Sequence, residues 1–96
     1  MTAPQLLKRA SIRLLAQIAE HDHGQGVLFR QGKNGRQQLD GTDYAANRET
    51  FRVPSKYKLI AVEHPEFGVW KVRLTHAGRN YLDERETRRR GGRKAS

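Results

Sequence analysis

The sequence predicts a single small α+β domain. Three observations predict it: a helical period of apolar residues near the N-terminus, a strictly alternating segment at 69–75, and a threonine-capped helix directly behind that segment. The chain has 96 residues, 35% of them apolar. That length holds one domain with a modest core. The sequence divides into a folded part, 1–86, and a basic tail, 87–96.

Residues 4–21 read as a helix. Pro4 suits a first helical position, and Leu7, Ser11, Leu14, Leu15 and Ile18 recur on one face. Lys8, Arg9, Arg13, Gln17 and Glu20 fall mostly on the other side, and Gly24 stops the helix. Residues 24–41 allow two readings. Val27-Leu28-Phe29 is strand-like, and Asn34-Gly35 is the strongest short turn signal, so 27–31 can pair with 36–40 as a hairpin. A second helix from near Gly26 is the alternative, opposed by Gly26, Gly32 and Gly35.

Residues 43–52 read as a helix capped by Thr42 or Asp43, with Tyr44, Asn47 or Arg48, and Phe51 on one face. Pro54 ends or kinks it near Arg52. Ser55 to Lys58 is then a turn, or a short helical extension started by Pro54. Residues 59–63 and 69–75 read as an antiparallel hairpin joined by His64 to Gly68. Trp70, Val72 and Leu74 alternate with Lys71 and Arg73, so the first set faces the core. Thr75 caps a helix over 76–86, with Ala77, Tyr81 and Leu82 turned inward. Residues 88–96 have nothing apolar to bury beyond Ala95, and the composition predicts disorder there.

Charge narrows the function. Lys and Arg number 19 against 10 Asp and Glu, a net charge of +9. Such an excess attracts polyanions through counterion release. It is uneven: Arg85, Arg88, Arg89, Arg90, Arg93 and Lys94 face only Glu86 in the last twelve residues. The longest apolar runs are four residues or fewer, far below the roughly 20 that span a bilayer. The first residues lack the apolar core of a signal peptide. With no cysteine, disulfides and thiolate metal sites are excluded, which fits a reducing cytoplasm. His21-Asp22-His23 has too few ligands for a metal and reads as a helix end. There is no phosphate-binding glycine loop, no Ser/His/Asp set with supporting context and no carboxylate pair in a pocket. The chain therefore reads as a non-enzyme without cofactor or small-molecule substrate.

Leu74-Thr75-His76-Ala77-Gly78-Arg79, a strand that ends in Leu-Thr-x-x-Gly-Arg and runs into a helix, resembles the end of a winged-helix DNA-binding domain. Bacterial transcription factors of the multiple-antibiotic-resistance and phenolic-acid-regulator types (MarR/PadR-like) close their wing this way. The resemblance covers 43–86. It implies that the helix before the hairpin enters the major groove and that the hairpin is the wing. The groove-facing candidates are then Asn47, Arg48, Thr50, Arg52, Ser55, Lys56 and Lys58. Arg and Asn make bidentate contacts with guanine and adenine edges, while Lys and Ser more often hold phosphates. A helix-turn-helix needs a second helix before the recognition helix, and no clean one is visible in 24–41.

Further candidates lie outside that helix. Lys71 and Arg73 sit on the outward face of the hairpin, offsetting acidic Glu63 and Glu66 near its tip. Arg30, Lys33 and Arg36 cluster around Asn34-Gly35. Arg88, Arg89, Arg90, Arg93 and Lys94 form the tail, similar to Arg-Gly segments that lie along minor grooves or RNA, with a solubilising extension as the alternative reading. Leu74 packs, Thr75 caps, and Gly78 permits close packing of the last helix. Arg79 reaches a phosphate or makes a surface ion pair. The expected partners are double-stranded DNA and a second copy of the chain, with transcriptional regulation or plasmid or phage DNA maintenance in a nucleoid-associated, cytoplasmic setting as the role. Two rivals stand beside this: a winged helix used for protein contact, favoured by the acidic tip, and an RNA- or ribosome-associated basic module, since RNA also presents phosphates.

Overall fold

The structure is a computed structural model that describes residues 7–94, with side chains through residue 85. It is α+β: three helices and one five-stranded antiparallel sheet. Helix α1 is Arg9–His21, followed by strands β1 Val27–Gln31, β2 Arg36–Leu39 and β3 Ala45–Asn47. Helix α2 is Arg48–Lys56, then come β4 Ile60–Glu66 and β5 Val69–Leu74, and α3 runs His76–Lys94. The strand order is β3-β2-β1-β5-β4. Leu14, Leu15 and Ile18 of α1, Phe51 of α2, and Val27, Phe29, Leu39, Ile60, Val72 and Leu74 of the sheet form one buried core. Phe29, Phe51 and Trp70 stack edge to face at its centre, each successive pair of ring centroids 5.1 Å apart.

The first hairpin forms as its turn chemistry dictates. Asn34 and Gly35 take φ values of 59° and 72°, the left-handed pair that a primed hairpin turn needs. Phe29 pairs with Leu39 and Gln31 with Gln37. The alternative second helix is thereby ruled out. The segment after it departs from expectation. Ala45–Asn47 is a strand on β2, not the start of a helix. Gly41, at φ 84°, turns the chain, and the Thr42 hydroxyl donates to the Leu39 carbonyl (3.0 Å) while accepting from the Tyr44 N–H (3.0 Å). This turn points Tyr44 to Asn47 back along β2, and ladder pairing overrides the helical preference of two alanines.

Helix α2 therefore starts at Arg48, and it does not stop at Arg52. Pro54 lies inside it. A proline cannot donate to the carbonyl four residues earlier, here Thr50. The hydroxyl of buried Ser11 donates to that carbonyl instead, at 3.1 Å. The helix ends in a Schellman motif: Leu59 N–H bonds to Pro54 O (2.8 Å) and Lys58 N–H to Ser55 O (3.0 Å), with Lys58 left-handed at φ 59°. Of the two readings of 55–58, the helical extension through Lys56 is the one that forms.

The second hairpin is longer than expected. Strand β4 continues to Glu66, so the connection shrinks from His64–Gly68 to Phe67 and Gly68. Pairing is irregular between Glu63 and Glu66, which accommodates Pro65 on an edge strand. Val72 and Leu74 are buried on the helix side of β5, and Trp70 on the same side is half-buried. Helix α1 begins at Arg9, with Lys8 extended before it, because the chain enters from Leu7 packed into the core; Pro4 lies outside the described residues. Helix α3 runs to Lys94 where the sequence predicts an end near 86 and a disordered stretch beyond. Arg88, Arg89, Arg90, Arg93 and Lys94 in that stretch are good helix formers, set against Gly91 and Gly92. Within α3, Ala77 is exposed and Gly78 is the buried residue, while Tyr81 and Leu82 pack on the core as expected.

The Leu-Thr-x-x-Gly segment is a joint. The Thr75 hydroxyl donates to Lys58 O (2.6 Å) and accepts the Gly78 N–H (3.1 Å). A Cβ on Gly78 would overlap the Leu59 carbonyl. Leu74 packs, Thr75 caps and Gly78 allows close approach, each as its residue type implies.

Candidate nucleic-acid interface

The predicted residues do not share one surface. Arg48, Arg52, Ser55 and Lys56 lie on the exposed side of α2, opposite buried Phe51 and Pro54. Arg52 makes an exposed ion pair with Glu49, at 3.3 Å, within the same helix. Such pairs hold a side chain only weakly. Lys58 follows in the helix-ending turn, exposed. Arg30, Lys71 and Arg73 fall on the face of the sheet away from Phe29 and Val72, by strand alternation. There Arg30 pairs with Asp40 (3.4 Å), and the register sets Lys71 opposite Glu63. Lys33 sits at the tip of the first hairpin. Arg88, Arg89, Arg90, Arg93 and Lys94 belong to the last turns of α3, and their side chains lie outside the described set.

One constellation does come together. Along edge strand β3 runs a groove of about 360 Å³, lined by Arg9, Ala10 and Arg13 of α1, Arg36 of β2, Tyr44, Ala45, Ala46 and Asn47, and Thr50 of α2. The Arg36 guanidinium donates to Ala45 O at 3.3 Å. The Arg13 guanidinium lies over the Tyr44 ring, 5.8 Å from its centroid. Burial pushes the Tyr44 hydroxyl pKa above its usual value, against the opposing pull of Arg13 and Arg36. The phenol therefore stays protonated at neutral pH and remains a hydrogen-bond donor. Asn47 is the N-cap of α2, yet its side chain makes no capping hydrogen bond and leaves the first-turn amides of α2 without that cap.

No match arises for this chain among family models, curated proteins or solved structures. The site must be read from its own residues. Arg36, Asn47 and Thr50 were visible in the sequence as candidates. Arg9, Arg13 and Tyr44 were not. The two arginines look like the solvent side of α1, and Tyr44 looks like part of a helix face, until the turn at Gly41 brings Tyr44 under the Arg13 guanidinium. Their i,i+4 spacing was the only available signal, and it is common on any helix.

The other candidate places resolve as structure. The Asp22 side chain is 4% exposed. It accepts the Gly24 and Gly26 N–H groups, at 2.7 and 2.8 Å. Burial pushes its pKa up, but these two hydrogen bonds, with Arg79 and His23 nearby, hold it below the usual carboxylate value. Arg79 approaches Asp22 at 4.0 Å, the ion-pair reading of that residue. His21 Nδ1 lies 3.0 Å from Gln17 O. Among the described residues, no group of three metal-ligating side chains forms, and no helix is long and apolar enough to cross a membrane.

Proposed function

We propose that the protein binds duplex DNA, with α2 as the docking helix. The observation that carries this reading is the placement of Arg48, Arg52 and Lys56 on the exposed side of a helix whose N-terminal end opens on an arginine-lined groove. A net charge of +9 supplies the long-range attraction. The order α2, hairpin, α3 is the order that the winged-helix resemblance implies, with β1 to β3 standing where a helix-turn-helix has its second helix. Site occupancy is the mode of action that this reading assigns, as in a transcriptional regulator or a DNA-maintenance factor of the nucleoid. A pair of chains on paired half-sites is the expected arrangement, because one small module gives limited affinity.

Competition binding between a selected site and random duplex, at several salt concentrations, tests the proposal. Wild-type affinity is expected to fall steeply with salt. Replacing Arg48 or Arg52 by Ala is expected to cost about 1–3 kcal/mol on the selected site and little on random DNA. Preference for structured RNA would move the reading to an RNA module. A protein-contact role has one observation in its favour. Phe67, at the hairpin tip beside Glu66, is 99% exposed, an apolar side chain in an acidic setting that duplex DNA does not attract. Absence of any duplex binding at low salt, with Phe67→Ala abolishing a protein interaction, would establish that role instead.

A further inference from the structure

Arg9 and Arg13 lie one turn apart on α1, and Arg36 reaches the same groove from β2. Like charges four residues apart repel on a helix surface. The N-terminal turn of a helix also disfavours cations, and the first turn of α1 holds no acidic residue. No carboxylate is among the described residues that line the groove. Three arginines thus line one concavity with no carboxylate among its described lining residues, an arrangement that raises the energy of the free protein. An anion in the groove reverses that sign.

The donors select the kind of anion. Guanidinium groups present forked N–H pairs that match the oxygens of a phosphate. The Thr50 and Tyr44 hydroxyls and the Asn47 amide add neutral donors around the same space. The α2 N-terminus contributes amides and the positive end of a helix dipole. A volume near 360 Å³ admits a phosphoryl group with part of its sugar.

We propose that this groove is a phosphoryl-binding site, formed by Arg9, Arg13 and Arg36 around Tyr44, Asn47 and Thr50. Its ligand chemistry is shared by an internal phosphodiester of a duplex and by a terminal or free phosphate monoester. The inference rests on the duplex reading only for the source of the phosphate.

Calorimetry on the full chain at constant ionic strength tests it, with inorganic phosphate as the first probe. Short duplexes carrying either a 5′-phosphate or a 5′-hydroxyl are the second and third. The groove variant is Arg13→Gln with Arg36→Gln. The control is Lys71→Gln with Arg73→Gln, which removes the same charge from β5, three strands away from β3 across the sheet. Saturable binding of phosphate, one per chain, is expected. It is expected to weaken about tenfold or more in the groove variant and less than about twofold in the control. Tyr44→Phe, which keeps the ring, is expected to weaken it by a smaller factor and serves should the double variant not fold. Preference for the 5′-phosphate duplex assigns a monoester. Equal binding of both duplexes, lost together in the groove variant, assigns a phosphodiester. Equal losses in groove variant and control, or no saturable phosphate binding, overturn the site and leave duplex binding standing. Phosphate binding without any duplex binding keeps the site and removes the duplex reading.

Discussion

Ser11 and Thr50 meet because of a proline neither of them touches in sequence. Pro54 deprives the Thr50 carbonyl of its helical donor, and Ser11, 4% exposed in α1, supplies one at 3.1 Å. A serine among leucines on a helix face reads from sequence as a tolerated small residue, since its partner is a backbone atom 39 positions away. Ser11→Ala leaves that buried carbonyl unpaired. It is expected to destabilise the fold by about 1–3 kcal/mol, measured by denaturant midpoint at unchanged slope. An unchanged midpoint would mean that water replaces the hydroxyl. Asp22 gives a second residue-scale expectation. Its folded pKa is depressed, so its contribution is present above the unfolded value of about 3.9 and is lost as pH falls through the folded value. The stability difference between wild type and Asp22→Ala is expected to be full at neutral pH and to shrink on acidification. A difference that stays constant down to the lowest accessible pH would show that the loop bonds do not depend on the charge.

At the scale of elements, legibility followed local chemistry. The β4–β5 hairpin and the Thr75 cap were readable because alternation and capping act within a few residues. Asn34-Gly35 fixed the first turn for the same reason. The strand β3 was not readable, because Tyr44-Ala45-Ala46-Asn47 has helical propensity and takes its conformation from β2 through Gly41 and Thr42. The length of α2 was also hidden, since a proline predicts an end unless a donor from another helix stands ready. Its end carries a residual cost. Position 58 is the left-handed position of a Schellman motif, where glycine is usual, and here it is Lys58. Removing a Cβ there relieves roughly 1–2 kcal/mol of backbone strain against up to about 1 kcal/mol of added freedom in the unfolded chain. Lys58→Gly is therefore expected to raise the melting temperature, and Lys58→Ala to leave it unchanged. A lower melting temperature for the glycine variant would show that Lys58 is held by more than its backbone.

Over the whole molecule, the positive charge is split by the sheet. Arg48, Arg52 and Lys56, with Arg9 and Arg13, lie with the helices; Arg30, Lys71 and Arg73 lie on the opposite face, partly offset by Asp40 and Glu63, and Arg36 starts from that face and reaches the groove around edge strand β3. Composition alone could not reveal this division, because strand alternation and the placement of β3 decide which side each cation takes. A rigid duplex engages one side of so small a body at a time. Two triple variants separate a docking face from a general field: Arg48→Gln, Arg52→Gln and Lys56→Gln on the helix side, and Arg30→Gln, Lys71→Gln and Arg73→Gln on the sheet side. Each removes three charges, so the long-range attraction falls equally. Only side chains that displace counterions from phosphates change the slope of log K against log salt, by about 0.9 per phosphate contact. The helix-side variant is expected to flatten that slope by about one per contacting side chain, and the sheet-side variant to leave it near the wild-type value. The reverse result would place the duplex on the open face of the sheet. Equal flattening would mean that no face docks and that binding follows net charge alone.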